Sequence, residues 1–163
     1  MVAKPLAWRP QETVGSRQVP VTLVCEEAHR YVPGNGQTAF EPCDLLSADG
    51  KFMHVKRKTS SQTMSHVLNQ ALSSTQMLRN VPDARDAVDV ALSAAELPSK
   101  TRTLMRDHVA TFAVVPSGTV DIVIIGTWRG TPSVEKLPLL TRLGLNTWAK
   151  SMPCAKSIVL VGT

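Results

Sequence analysis

Two short runs that are rich in apolar residues, 40–46 and 51–57, flank the pair Asp49-Gly50. Glycine readily adopts the positive φ that a tight hairpin turn requires, and Asp-Gly between two such runs is a strong hairpin signal. The spacing therefore predicts two antiparallel strands. The pairing is local, so closing its loop costs little conformational entropy.

A long amphipathic helix is predicted directly after this hairpin. Thr59, Ser60 and Ser61 offer hydroxyl groups that can cap a helix starting near Gln62. Apolar residues then recur every three to four positions, as on a helix with one buried side. They are Met64, Val67, Leu68, Ala71, Leu72 and Leu78.

The remaining segments complete a mixed pattern of strands and helices. Residues 19–25 are mostly apolar and β-branched, which predicts a buried strand. Helices are predicted at 83–95 and 137–151, a second hairpin at 111–115 and 119–127, and a last strand at 157–161. The predicted fold class is α/β, with a mixed sheet that is flanked by helices.

Composition excludes several classes of protein. The chain has 163 residues, of which 43% are hydrophobic and 19% charged, as expected of about one folded domain. No apolar run approaches the roughly 20 residues that cross a bilayer. The first residues lack the apolar core of a signal peptide, so a cytoplasmic protein without membrane contact is expected. Three cysteines without a CxxC pair argue against a disulfide framework or a Cys-rich zinc site.

Residues 20–33, PVTLVCEEAHRYVP, combine a hydrophobic stretch with an acidic pair and Ala-His. This segment resembles the Walker B motif of HerA/FtsK-type DNA-translocating ATPases. The resemblance implies that Glu26 would hold the magnesium shell and that Glu27 would polarise the attacking water. The chain has no GxxxxGK(S/T) phosphate loop, so this chain alone is not expected to use or hydrolyse ATP. A translocating ATPase is implied as a partner.

A second resemblance begins at Cys43. Its specific part consists of the letters CDLL at 43–46, HVKRK at 54–58, SS at 60–61 and SHVLNQ at 65–70. These residues resemble the C-terminal part of a sporadically distributed, uncharacterised bacterial family that is associated with mobile elements and defence, and weaker similarity continues to residue 161. The change near Pro42 predicts two parts, an N-terminal segment at 1–37 and a nuclease-like α/β domain at 38–163.

The second block also resembles the PD-(D/E)xK core of restriction-endonuclease-like proteins. Asp44 falls on the first strand of the predicted hairpin and Lys56 on the second. The resemblance implies that Asp44 binds Mg²⁺ or Mn²⁺ and that Lys56 orients the attacking water. Gln70 on the following helix would reach back toward the same site.

One position departs from the PD-(D/E)xK pattern, because His54 occupies the slot of the second carboxylate. A neutral imidazole is a poorer Mg²⁺ ligand than a carboxylate but suits softer divalent ions. Glu41 is an alternative ligand, although strand alternation places it on the face opposite Asp44 unless a bulge or a strand end intervenes. The candidate metal ligands are therefore Asp44, His54 and Glu41.

A basic run precedes the predicted long helix, and no acidic residue occurs between positions 50 and 82. Lys56, Arg57 and Lys58 are followed by Ser60 and Ser61, so cationic groups, hydroxyl groups and the free N–H groups of the first helical turn converge there. This arrangement predicts binding to nucleic-acid phosphates, with DNA preferred to RNA as the partner.

Structural roles compete with each of these functional interpretations. Asp44 is also explained as a residue flanking the hairpin, Lys56 as a solvated strand residue, and His54 as a hydrogen-bonded structural histidine. The predicted function is a nucleic-acid-binding, PD-(D/E)xK-like domain that would hydrolyse phosphodiesters with a divalent metal. The alternatives are a non-catalytic binding or scaffolding module and a truncated fragment without independent activity.

Overall fold

The fold was analysed in a computed structural model that describes residues 12–14, 17–19, 21–24, 41–58, 60–112, 119–152 and 154–162. Its strands are β1 (Glu12–Val14), β2 (Arg17–Val19), β3 (Val21–Val24), β4 (Leu45–Ser47), β5 (Lys51–Arg57), β6 (Thr119–Gly126) and β7 (Ala155–Gly162). Its helices are α1 (Ser61–Asn80), α2 (Pro82–Ala94), α3 (Ser99–Thr111) and α4 (Leu139–Ser151), with a 3₁₀ turn at Val134–Lys136.

Strands β4 to β7 form a mixed sheet, and β3 adds to its edge beside β4, which gives the order β3-β4-β5-β6-β7. Strand β4 is antiparallel to β3 and β5, whereas β5, β6 and β7 are mutually parallel neighbours. Strands β1 and β2 pair with each other in a separate two-stranded sheet. The predicted α/β class, with a mixed sheet flanked by helices, is confirmed.

The predicted Asp-Gly hairpin is confirmed as the pair β4 and β5. Gly50 has φ of +79°, and its N–H donates to the carbonyl of Ser47 at 3.0 Å, which closes the turn. A Cβ on Gly50 would lie only 2.5 Å from the ring of His108 on α3, so the turn packs tightly against that helix. Glycine is therefore required here both by backbone conformation and by space.

Strand β4 is shorter than predicted. The sequence predicted a strand over 40–46, but pairing with β5 begins at Leu45, and Asp44 lies one residue before the strand. Its backbone N–H donates to the carbonyl of Met53 at 3.0 Å, outside the regular ladder. The prediction that Asp44 belongs to the strand was therefore wrong by one residue. At this position the carboxylate of Asp44 accepts the hydrogen bond from the N–H of Val55 on β5, in place of a backbone carbonyl of β4.

The predicted second hairpin was wrong. Thr111 is the last residue of α3, while residues 113–118 lie outside the described part of the chain. Strand β6 is present at the predicted place, but its neighbours are the parallel strands β5 and β7. Helix α3 was missed because its sequence is mostly polar and buries only Met105 and Val109.

The other predicted elements agree with the structure. Ser60 caps α1 by accepting a hydrogen bond from the backbone N–H of Thr63 at 3.3 Å, as the hydroxyl cluster predicted. Helices α2 and α4 and strand β7 lie where their patterns placed them. The strand predicted at 19–25 is present in part, since β3 covers Val21–Val24 whereas Val19 ends β2. Glu26 and Glu27 lie outside the described residues.

The helices cover one face of the sheet. Strand β5 is joined to β6 through α1, α2 and α3, and β6 is joined to β7 through α4. Such crossovers between parallel strands are almost always right-handed, which places all four helices on the same face. Phe52, Ile122 and Ile124 enter the main core with side chains from the helices, whereas Met53 and Val123 belong to a smaller cluster on the other face. Within the described ranges, no helix is both long and apolar enough to cross a membrane.

Candidate functional site

His54 and Lys56 are directed to the helix-covered face of the sheet. Phe52 lies on that face, and alternation along β5 brings His54 and Lys56 to the same side. Asp44 precedes β4, and its side chain is placed by the hydrogen bond that its carboxylate accepts from the backbone of β5 at Val55. The charge of Lys56 acts on the pKa of both Asp44 and His54.

The carboxylate of Asp44 completes the hydrogen bonding of β5. Its Oδ2 accepts from the backbone N–H of Val55 at 2.7 Å. Burial raises the pKa of Asp44 above its ordinary value, while the Val55 hydrogen bond and the charge of Lys56 oppose that rise. Asp44 is thus both a partly desolvated carboxylate and a structural acceptor at the end of β4.

His54 is fully buried, and neither ring nitrogen has a hydrogen-bond partner among the residues that the structure describes. Burial, and then the charge of Lys56, lower the pKa of His54 from 6.5 to about 4. The imidazole is therefore neutral at physiological pH, and one of its nitrogens carries an unused lone pair. The interpretation of His54 as a hydrogen-bonded structural histidine does not fit this environment.

Glu41 is in contact with α1. Its Oε2 accepts from Nε2 of Gln70 at 2.8 Å, and its backbone carbonyl accepts from the hydroxyl of Ser74 at 2.7 Å. Strand alternation does not fix the direction of the Glu41 side chain, because Glu41 precedes β4, which begins only at Leu45. A strand end at this place was one condition under which Glu41 was predicted as an alternative metal ligand. Gln70 of α1 therefore contacts Glu41, and its place in a catalytic site with Asp44 and Lys56 stays a prediction.

These donors do not form a closed metal site. Across the described ranges, no three His, Cys, Asp or Glu side chains are grouped so that they could hold one ion. Mg²⁺ is often bound through one or two carboxylates, with water and substrate phosphate completing its shell. Asp44 and Glu41 are the predicted carboxylate ligands for such an ion, and their binding of a metal stays a prediction.

The basic run lies at the carboxyl end of β5 and is divided by strand alternation. Lys56 is partly buried beside Asp44, whereas Arg57 is exposed. Nζ of Lys58 donates to the carbonyl of Thr127 at 3.3 Å and lies 4.4 Å from the ring centre of Trp128, a cation–π contact. The sequence did not reveal this contact, since Trp128 is 70 positions away along the chain.

The serine residues of the basic run have structural roles at the start of α1. The hydroxyl of Ser60 serves as the helix cap, and Ser61 is the first residue of the helix. The first turn of α1 contains no acidic residue. Its free N–H groups and positive dipole end are therefore not compensated by a carboxylate of that turn.

A groove of about 460 Å³ lies elsewhere, between α2 and α3. It contains an ion pair in which Nη2 of Arg106 donates to Oδ2 of Asp89 at 2.8 Å. None of the predicted site residues lines this groove, which is bordered by Arg85, Asp86, Asp89, Thr103, Arg106, Asp107, Val109 and Ala110.

The structure thus defines an α/β protein with a cluster of ionisable side chains beside a basic sheet edge. A family model, described as a family of unknown function (DUF6119), matches residues 18–157. The chain belongs to this family. The match includes both sides of the division predicted between residues 37 and 38. No curated protein and no solved structure matches the chain.

Proposed function

We propose that this chain is a nucleic-acid-binding domain that contacts phosphates at the carboxyl end of β5. The observation that carries the proposal is the exposed position of Arg57 at the carboxyl end of β5, followed along the chain by Lys58 and by the acid-free first turn of α1. Cations and free helical N–H groups are the usual donors to phosphate oxygens. DNA is the proposed partner in preference to RNA.

Binding is tested by fluorescence anisotropy of labelled DNA duplex, DNA single strand and RNA over a range of salt concentrations. The logarithm of the affinity should fall linearly with the logarithm of salt concentration, with a slope of about −0.9 for each duplex phosphate contacted. Arg57→Gln and Lys58→Gln should each reduce affinity and slope. Lys150→Gln is the matched control, because Lys150 is exposed in the last turn of α4, which runs back toward the opposite end of the sheet. No binding by the wild-type protein at low salt would refute the proposal.

A second candidate function is metal-dependent phosphodiester hydrolysis. It is supported by the hydrogen bond that holds the Asp44 carboxylate against β5 at Val55, by the effect of the Lys56 charge on Asp44, and by the contact of Glu41 with Gln70. A bound Mg²⁺ or Mn²⁺ would stabilise charge on the scissile phosphate and activate water. Asp44 would hold the ion, and the ammonium of Lys56 would orient the attacking water.

Hydrolysis is tested with supercoiled plasmid in the presence of Mg²⁺ or Mn²⁺. Asp44→Asn keeps a side-chain acceptor for Val55 but removes the charge, so it should abolish nicking while leaving the fold intact. Asp86→Asn on the exposed side of α2 is the control and should retain activity. Equal nicking by wild type and Asp44→Asn would refute a catalytic role for Asp44. Binding without nicking by the wild type would favour the non-catalytic module.

The restriction-endonuclease-like core belongs to the same proposal. It is supported by the hairpin with Asp44 before one strand and Lys56 on the other, and by a following helix that carries Gln70. The resemblance of residues 20–33 to a Walker B segment supports a translocating ATPase as the protein partner, in mobile-element or defence biology. Co-purification of the chain with a HerA/FtsK-type ATPase would test that partnership.

A further inference from the structure

The segment that joins β6 to α4, residues 127–138, lies beside the basic end of β5. Lys58 donates to the carbonyl of Thr127 and covers the ring of Trp128, and Nε1 of Trp128 donates to the carbonyl of Val161 at 2.9 Å. Val161 is near the carboxyl end of β7. Lys58 and Trp128 therefore tie together the ends of three neighbouring parallel strands.

The start of this segment is held in a defined conformation. Nζ of Lys136 donates to the carbonyls of Arg129 at 2.6 Å and Thr131 at 2.8 Å. Gly130 lies between them with φ of +76°, which lets the chain curve around the ammonium group. Arg129 is consequently presented from a fixed turn, and its side chain is exposed. Such preorganisation lowers the entropic cost of binding a ligand.

Three cationic residues lie along the β5–β6 part of this edge. Arg57 and Lys58 come from the end of β5 and Arg129 from the turn after β6, and these three residues are called the basic edge. Glu135 is the sole acid between 127 and 138, and it is exposed. Neighbouring strands are about 4.8 Å apart. The basic edge thus presents cationic residues from two adjacent strand ends, β5 and β6.

We propose that the sugar-phosphate backbone of the bound nucleic acid crosses the carboxyl edge of the sheet from β5 to β6 and that Arg129 binds one of its phosphates. Trp128 acts as a positioning residue, because its ring holds the ammonium group of Lys58 at the edge. This inference rests on the proposed nucleic-acid binding and adds to it a second contact segment and a direction for the ligand.

Anisotropy titrations of the full chain with labelled DNA duplex test the role of Arg129. Loss of one phosphate contact should lower affinity about eightfold at about 0.1 M salt and make the salt slope shallower by about 0.9. Arg129→Gln should show both changes, and the control Lys150→Gln should show neither. No binding by the wild type would refute the proposed function itself. One result would overturn only this inference: the wild type binds and Arg57→Gln weakens binding, but Arg129→Gln and Lys150→Gln change it equally or not at all.

A double-mutant comparison tests the positioning role of Trp128. Trp128→Leu should reduce the salt slope as Lys58→Gln does, and adding Lys58→Gln to Trp128→Leu should cause little further change. Trp128→Phe keeps an aromatic ring and should restore most of the binding, although it loses the hydrogen bond to Val161. A purely structural role predicts a lower melting temperature in Trp128→Leu with an unchanged salt slope. That result, or additive effects of the two substitutions, would overturn the positioning role.

Discussion

Replacing His54 with leucine should stabilise this protein at neutral pH. The imidazole is fully buried, and both of its ring nitrogens lack hydrogen-bond partners in the described part of the chain. An unsatisfied buried polar group costs about 1–3 kcal/mol, and replacing it with an apolar group of similar size removes that cost. Leucine differs from imidazole in shape, so repacking against neighbours such as Ile122 offsets part of the gain. We expect a net increase of about 1–2 kcal/mol in the free energy of unfolding.

Urea denaturation at pH 7 measures this gain as a higher midpoint with an unchanged dependence on urea. His66→Leu is the matched control, because His66 is exposed on α1. That substitution should change stability by only a few tenths of a kcal/mol, through helix propensity. A less stable His54→Leu protein, with His66→Leu close to wild type, would refute the reasoning, since it would mean that the His54 ring makes favourable polar contacts.

The pH dependence of stability, compared between the wild type and His54→Leu, gives a second test. The folded-state pKa of His54 is lowered from 6.5 to about 4, so between these values the unfolded chain binds a proton that the native protein does not. Wild-type stability should therefore fall as pH decreases from 6.5 to 4, by about 3 kcal/mol through this group. His54→Leu lacks this loss, so its advantage over wild type should grow toward pH 4. An advantage that stays constant over this range would contradict the buried, neutral state of the imidazole.

Three further changes test the local structure around the site. Gly50→Ala should cost about 1–2 kcal/mol of stability for its left-handed backbone, and more for overlap of the new methyl group with the ring of His108. In a His108→Ala background only the cost of the overlap should be relieved, which a double-mutant denaturation cycle measures. Asp44→Ala should be less stable than Asp44→Asn by about 1–3 kcal/mol, because it leaves the N–H of Val55 without an acceptor; equal midpoints would refute that role. Ser60→Ala should cost about 1 kcal/mol of stability through loss of the cap of α1, and an unchanged melting curve would show that the cap contributes nothing.

Local patterns were sufficient for most of the fold. The Asp-Gly turn predicted the β4–β5 hairpin, and the hydroxyl cap with its apolar spacing predicted α1. Helix α3 escaped prediction because nearly all of its surface is polar and its position depends on packing against α2 and the hairpin turn. The parallel placement of β6 is likewise a tertiary property, since it depends on how three helices cross from one strand to the next.

Some features of the candidate site follow from local sequence pattern, and others depend on tertiary structure. His54 and Lys56 share a face because they alternate along β5 in step with Phe52. The contact of Glu41 with Gln70 depends on where β4 begins, and a short apolar run does not specify that boundary. The contact of Lys58 with Trp128 joins the ends of two strands whose adjacency follows only from the order of the sheet.

Strand alternation turns Lys56 to one side of β5 and Arg57 to the other. The two residues therefore belong to different proposed activities. Lys56 is partly buried and lies on the same side of β5 as Phe52 and His54, so its side chain is directed to the helix side. Its charge opposes the rise that burial causes in the pKa of Asp44 and adds to the fall in the pKa of His54. Arg57 is exposed and follows on the other side of the strand. Phosphate binding should therefore depend more on Arg57 and Lys58 than on Lys56. Lys56→Met should eliminate plasmid nicking while reducing DNA affinity less than Arg57→Gln does, and the opposite order would place Lys56 among the binding residues.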